Sequence, residues 1–227
     1  MGYLLYYFLY PAARYLLNYP VLLMIVAAFF LLRRWLPDPV LFVKHAGKVR
    51  VLKGQISQNA DNVTARRDLA KIWLEKRRPR RAIPLLVEAR RRPAQSSDQA
   101  AELAFLYGKA LLLSGRPEES LPPLVEATQL NEKVQYGDAY LVAGRALYAL
   151  GRNAEAEDAF GRFVRINSSS VEGQVRLACA RRELRDRTGA KQSMHDALDT
   201  FAHLPGFRRR KELFWYLRAR LMTVGLA

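Results

Sequence analysis

Few side chains in this 227-residue chain are of a type and at a spacing that could do chemistry. His195, Asp199 and His203 fall at i, i+4 and i+8 on one face of a helix, a spacing that could ligate zinc. Pro205 follows closely and no supporting ligand is evident, so polar residues on an exposed helix face are the preferred reading. Cys179 lies between Ala178 and Ala180, with no histidine paired with it in sequence. It reads as a packing residue, because free cysteine is often buried. A single cysteine also excludes an internal disulfide framework and any multi-cysteine zinc or iron–sulfur site. The chain has no phosphate-binding P-loop, no GxGxxG after a strand, no GxSxG and no HExxH. The expectation is a protein without a catalytic residue, metal or cofactor.

The chemistry that remains is charge. Lys+Arg 37 against Asp+Glu 21 gives +16, which points to nucleic acid, anionic lipid or acidic peptide as partner classes. Residues 1–96 carry +13 of that total, including KRRPRR at 76–81 and RRR at 90–92. Nucleic acid ranks last, since no major-groove helix signature and no RNA-binding motif accompanies the charge. An anionic membrane surface fits better, because each Lys or Arg close to an anionic leaflet gains about 1 kcal/mol. Arg33, Arg34, Lys76, Arg77, Arg78, Arg80 and Arg81 are the residues expected to face it.

A membrane is also suggested by the first sixty residues. Residues 15–32 contain no charge over 18 positions, close to the ~20 apolar residues that cross a bilayer as a helix. Tyr15, Tyr19 and Trp35 flank the run where amphipathic rings prefer the interface. Arg33 and Arg34 stop it, and Pro37 and Pro39 end the helix. The reading is an interfacial Tyr-rich segment at 1–14, a transmembrane helix at 15–36, and a basic linker with an N-terminal capping helix at 37–62. A cleavable signal peptide needs a positive n-region, and no Lys or Arg precedes Arg14. A buried core helix is disfavoured by apolar residues all round and by the aromatic flanks. Arg33, Arg34, Lys44, Lys48, Arg50 and Lys53 follow the span, so the positive-inside rule places the rest of the chain in the cytoplasm, on a single-pass inner-membrane protein.

Beyond residue 62 the chain repeats itself. RPRRAIPLLVEA (78–89) aligns with RPEESLPPLVEA (116–127) at an offset of 38 residues. GKALLLSGRPEES (108–120) aligns with GRALYALGRNAEA (144–156) at an offset of 36. Periods of this size signal stacked supersecondary units. Each unit holds two helical stretches: Leu103, Tyr107, Ala110 and Leu111 share one face, Gly115 closes the helix, and Leu121, Leu124, Val125 and Thr128 form the next face.

These residues resemble the tetratricopeptide repeat (TPR) family, whose unit of about 34 residues favours an aromatic at position 4, a small residue at 8, a large apolar at 11, Ala at 20, an aromatic at 24, Ala at 27 and Pro near 32. The unit from Val63 offers Arg66, Ala70, Trp73, Ala82, Leu86 and Ala89. The unit from Ala101 offers Ala104, Gly108, Leu111, Ser120, Leu124 and Ala127. The unit from Gly137 offers Tyr140, Gly144, Leu147, Ala156 and Phe160, then Phe163 in place of Ala. The unit from Val171 offers Gln174, Ala178, Arg181, Ala190, Met194 and Ala197. Arg66 and Arg181 depart from the pattern as poor core residues, and the Pro near 32 is missing or displaced throughout. The resemblance implies an all-α, TPR-like helical solenoid of four repeats (63–96, 101–134, 137–170, 171–204) plus one transmembrane helix, about ten helices in all. Val49, Leu52 and Ile56 are expected on the packing face of an N-terminal cap. A basic C-terminal capping helix is expected at 206–227, packed by a stripe of Leu213, Tyr216, Leu217 and Leu221.

The resemblance further implies that the first helices of the pairs line a groove. On its groove positions stand Arg67, Lys71, Lys109, Arg145 and Arg176, interleaved with Phe105, Leu112, Leu141 and Tyr148. Such a surface suits a protein segment bearing carboxylates, held by the cations and by apolar area. The family's carboxylate clamp wants Asn where this chain has Lys71, so chaperone-tail binding is not carried over. The expected function is a membrane-anchored adaptor for acidic protein segments. The alternative is a regulatory or assembly factor for an envelope enzyme or biogenesis complex. The third reading is lipid or nucleic-acid binding through the basic clusters.

Overall fold

The computed structural model describes the backbone of residues 39–224 and the side chains of residues 47–223. The expected interfacial segment, transmembrane helix and Arg33–Arg34 pair lie outside the described residues. Among the described residues no helix is long and apolar enough to cross a membrane. The chain divides into two compact units, Met1–Val51 and Leu52–Ala227. Helix α1, Pro39–Gln58, is all that is described of the first, and it runs on into the second. On it Leu52 is buried, and Val49 and Ile56 are half-buried.

Among its described residues the second unit holds four helix pairs and one further helix. The pairs are α2 (Val63–Glu75) with α3 (Pro79–Arg90), α4 (Ser97–Leu113) with α5 (Pro117–Leu130), α6 (Asp138–Ala149) with α7 (Asn153–Ile166), and α8 (Val171–Glu183) with α9 (Arg187–His203). Helix α10, Gly206–Val224, follows, and a 3-10 turn at Val134–Gly137 precedes α6. From α2 onward each helix packs on the next in sequence. First helices also touch the first helix of the following pair, α2 on α4 and α4 on α6, and α8 touches α10 in the same way.

Local chemistry sets the helix starts. The side chains of Asn62, Ser96 and Ser170 accept the backbone N–H of Ala65, Gln99 and Gly173 at the N-termini of α2, α4 and α8, and Asp186 accepts that of Gly189 on α9. The Ser96 cap lets α4 begin at Ser97, about one turn ahead of the 34-residue unit read from Ala101. Pro79 and Pro117 open α3 and α5, where a missing N–H costs nothing.

The turn inside each pair is the same device four times. One left-handed residue, Arg77, Gly115, Gly151 or Arg185, follows the first helix. The next N–H then reaches back into its last turn: Arg78 to the Trp73 carbonyl (2.8 Å), Arg116 to Leu111 (3.1 Å), Arg152 to Leu147 (3.0 Å) and Asp186 to Arg181 (3.0 Å). This is the Schellman closure of a helix C-terminus.

The interior is built where the repeat register places it. Ala70, Ala82, Leu86 and Ala89 are fully buried in the first pair, and Ala104, Ser120, Leu124 and Ala127 in the second. Ala156, Phe160 and Phe163 fill the third, and Ala178, Ala190, Met194 and Ala197 the fourth. At Gly108 an added Cβ would stand 2.6 Å from Leu124 Cγ, and at Gly144 it would stand 2.6 Å from Phe160 Cε1. Glycine is there because the partner helix leaves no room for anything larger.

The two arginines at core-like positions are satisfied by polar partners. The Arg66 guanidinium donates to the Ala60 carbonyl. Arg181 donates to Glu157 (3.0 Å) and to Ser193 Oγ (2.9 Å), so a polar network replaces the large apolar residue of the other pairs. The C-terminal helix departs from expectation. Of the expected stripe Tyr216 packs, its ring stacked 4.2 Å from that of Phe201, but Leu213, Leu217 and Leu221 point outward, at 46%, 51% and 77% exposure. The packing face is instead Ala219, Trp215 and Met222, against Val175, Cys179 and Met194. Ala219 lets the two helices approach closely, which a leucine face would not.

The paired turns carry the first prediction. No atom lies within 4 Å of a Cβ added at Gly151, so Gly151→Ala meets only the left-handed backbone and is expected to lose about 1 kcal/mol in urea unfolding. Arg185→Gly relieves the same strain and is expected to gain about 0.5 kcal/mol, the remainder being offset by the entropy of a glycine.

Candidate functional site

The face formed by α2, α4, α6 and α8 collects the residues expected to meet a partner. The structure adds acids that counting cations alone did not reveal. Glu102, Asp138 and Glu172 occupy one register position in successive pairs, and each comes against the basic position of the pair before it. Lys71 Nζ lies 2.6 Å from Glu102 Oε1, and Arg67 lies 3.1 Å from Glu102 Oε2. Gln135 Nε2 also donates to Glu102, at 3.0 Å. Arg67 makes a second ion pair with Asp68 at 3.0 Å. The first two cations of the expected site are therefore neutralised within the fold. The signal that could have found this was in the sequence: acids at 102, 138 and 172 recur in the same register as the bases at 71, 109 and 145.

The pairing loosens further along. Lys109 has no ion pair within 4 Å among the described residues, but its charge favours ionised Asp138 against the burial that raises that carboxyl's pKa. Its ammonium sits 5.4 Å from the centre of the Phe105 ring. Phe105 itself is only 2% exposed, so it is a core residue beneath Lys109 and not a contact surface as expected. The register position points obliquely, and a ring there turns inward to pack.

Arg145, like Lys109, is left without an ion pair among the described residues, and it is half-buried. Burial, then the neighbouring Arg176 charge, hold its pKa below the usual guanidinium value, with Glu172 acting in the opposite direction. Glu172 is taken by Arg176, at 2.7 Å. The Arg176 guanidinium also lies 4.6 Å over the Trp215 ring, a contact from α10 that the repeat register alone could not foresee. The backbone N–H of Glu172 donates to Glu212 Oε2 at 3.3 Å. Burial raises the pKa of Glu212 against the lowering effect of the Glu172 N–H it accepts, and the Glu172 charge adds to the rise while Arg208 opposes it. Leu112, Leu141 and Tyr148 are half-buried beside this row. The Tyr148 hydroxyl reaches Glu183 at 3.4 Å. Arg145, Leu141, Tyr148 and Trp215 thus form a part of the face where an unpaired charge lies near accessible apolar area, next to the Arg176–Glu172 pair.

The basic clusters divide differently. Arg90, Arg91 and Arg92 are consumed by Glu126, Glu88 and Asp61 at 2.5, 2.6 and 2.7 Å. Arg77, Arg78, Arg80 and Arg81 are exposed, with no carboxylate in ion-pair range among the described residues. Lys76 and Arg81 lie 5.8 and 5.0 Å from the centre of the Trp73 ring. His195, Asp199 and His203 are all exposed, and among the described residues no group of three potential ligands could hold a metal ion. Cys179 is buried against Met222, with 3.9 Å between the sulfurs.

The electrostatics give opposite signs for two substitutions. Glu102→Ala leaves Lys71 without its carboxylate and Arg67 with Asp68 alone, and is expected to cost about 1 kcal/mol in chemical unfolding, solvent screening the partly exposed Lys71. Arg145→Met removes a charge that burial opposes, and is expected to raise the unfolding midpoint. A carboxyl held above its usual pKa stabilises only when protonated, so Glu212→Gln is expected to be more stable than the parent at neutral pH. That advantage disappears as pH falls through the raised pKa to below the ordinary glutamate range, in a pH series of thermal melts.

No family model matches the sequence, and no curated protein matches it. Solved structures do match. The crystal structure of MamA superposes with a TM-score of 0.61 at 22% identity, over 67% of this chain and 85% of that one. YrrB, described as a TPR protein with an unusual peptide-binding site, gives 0.56 at 19% identity, over 67% and 75%. TTC0263, a thermophilic TPR protein of Thermus thermophilus, gives 0.58 at 16% identity, over 78% and 89%. With these four helix pairs, their repeated turns and these neighbours, the described part of the chain has the TPR solenoid fold.

Proposed function

We propose that this protein is a membrane-anchored scaffold whose first-helix face takes acidic segments of partner proteins. A TPR-like fold supports protein–protein interaction in general. The finer reading rests on Arg145, a half-buried cation that the fold leaves without a carboxylate partner among the described residues. Holding such a charge in place opposes stability, and an incoming carboxylate offsets the cost through a bidentate, partly desolvated pair. Leu141, Tyr148 and Trp215 supply the apolar area beside it, and Arg176 supplies a second charge once a ligand carboxylate replaces Glu172. YrrB's peptide-binding site supports the same use of the fold. Arg67 and Lys71 act in this reading through exchange, releasing Glu102 when a ligand carboxylate replaces it.

The anchor is the uncharged run at 15–32, and the positive residues after it favour a cytoplasmic solenoid on an inner membrane. The exposed Arg77, Arg78, Arg80 and Arg81 are available to an anionic leaflet.

Cross-linked capture from native membranes with the full chain tests the face. Arg145→Glu is expected to reduce recovery of the principal partner at least about tenfold. Unchanged recovery after reversing Lys71, Lys109 and Arg145 together overturns the groove. Alkaline carbonate washing is expected to leave the chain in the pellet, and protease added outside intact cells is expected to spare the repeats.

A further inference from the structure

The outer face of α10 leaves a run of large apolar side chains uncovered among the described residues, where a helix packed on a solenoid ordinarily turns a polar side to solvent. Phe207, Phe214 and Leu221 stand at i, i+7 and i+14, and Leu213 and Leu217 complete one stripe with them. Their exposures are 73%, 46%, 77%, 46% and 51%. The opposite face packs on the fourth pair through Ala219, Trp215 and Met222. Cations stand on both borders of the stripe: Lys211 and Arg218 along one edge, with the Arg218 guanidinium 3.9 Å from Cys179 Sγ and 5.6 Å from the Trp215 ring centre, and Arg220 along the other, 5.8 Å from the Tyr216 ring centre. The helix's single acid, Glu212, is on the packing side, accepting from the Glu172 N–H.

We propose that α10 is an interfacial helix, which lays this stripe into an anionic membrane surface while the repeats remain above it. The composition is that of such helices: Phe and Leu on the inserted face, Arg and Lys where headgroup phosphates lie. Arg210 decides between occupants. It stands in the middle of the stripe with no ion pair among the described residues. Against another helix its guanidinium would be buried in an apolar seam, at a large desolvation cost. At a bilayer it snorkels to a phosphate and its stem remains in the apolar layer. A second copy of α10 is disfavoured further, since Lys211, Arg218 and Arg220 would face the same charges across the contact. The inference draws on the reading of residues 15–36 as an anchor, which keeps a bilayer at hand, and it is independent of the groove.

The test uses the full chain in a Cys179→Ala background with one environment-sensitive fluorophore at Leu217→Cys, and a second preparation labelled at Leu221→Cys. The protein is placed in nanodiscs of phosphatidylcholine alone or mixed with phosphatidylglycerol. Retention with the disc in gel filtration reads the anchor. The label reads α10 separately, in discs or, for a chain that is not retained, on vesicles of the same two compositions. Acrylamide quenching is expected to fall about threefold with the anionic lipid at both positions and not in its absence. A label at Arg187→Cys is expected to be insensitive, and Arg210→Glu with Lys211→Glu and Arg220→Glu is expected to restore full quenching. Equal quenching in both lipids overturns the proposal. So does protection that grows with protein concentration without anionic lipid, which identifies self-association. Protection that appears only on adding an acidic protein fraction also overturns it, and identifies a helical partner.

Discussion

The close approach of the two helices in each pair is the constraint from which the rest follows. It is set by one small residue facing one large one. Gly108 lies under Leu124 and Gly144 under Phe160, each too close for a Cβ, while Ala70 and Ala178 hold the same register in the outer pairs. The contact fixes the rotation of each helix about its axis, because only one side of the first helix is flat enough to be approached. Once rotation is fixed, every other register position has an assigned direction. The identical turn then fixes where the second helix begins, through an N–H that reaches back into the last turn of the first. Phe163, which stands where the family prefers alanine, is accommodated by Gly173 at the start of the next pair, where a Cβ would come 2.6 Å from its ring. The same rule therefore operates between pairs as well as within them.

The charge pattern on the first-helix face is a consequence of this register. Acids and bases that recur at fixed positions are carried to fixed heights, so each base is brought toward the acid of the following pair. At the first junction the match is complete, with Lys71 and Arg67 both on Glu102. At the third it fails, because Arg176 from the same helix takes Glu172 and leaves Arg145 beside a like charge. The net charge of the face is therefore a poor guide to what it can bind. The relevant quantity is the charge left after internal pairing, and on this face it stands at Lys109 and Arg145, of which Arg145 also lies beside a like charge.

The fold was legible because its determining residues are types that change little in kind: Gly or Ala at the close approach, Leu, Met or Phe opposite, Ala at the second crossing. Four degenerate copies in register outweighed the arginines at 66 and 181, whose hydrogen-bonded ends the structure then accounts for. The site was less legible for three physical reasons. Bases were visible as a row, but their neutralising acids lie roughly thirty residues later and matter only once the helices are stacked, as for Lys71 and Glu102. Phe105 sits at a boundary position, where an aromatic ring gains more by turning into the core than by facing water. Trp215 joins the face from outside the repeats, so no periodicity within them points to it.

Helix α10 shows where hydrophobicity stops being a sufficient guide. It has two apolar faces, and the richer one, with Leu213, Leu217 and Leu221, is the face left outside. The buried face is the one that contains Ala219, which is fully enclosed. An alanine there lets α10 come close to α8, so that Trp215 and Met222 on either side close over Val175 and Cys179. A leucine at the centre of the contact would hold the helices apart and forfeit those flanking contacts, since dispersion falls steeply with separation. Burial is therefore decided by the same small-against-large rule that orders the four pairs. The stripe that loses this competition retains its hydrophobicity, and because its borders are all cationic, what covers it must accept positive charge on both sides.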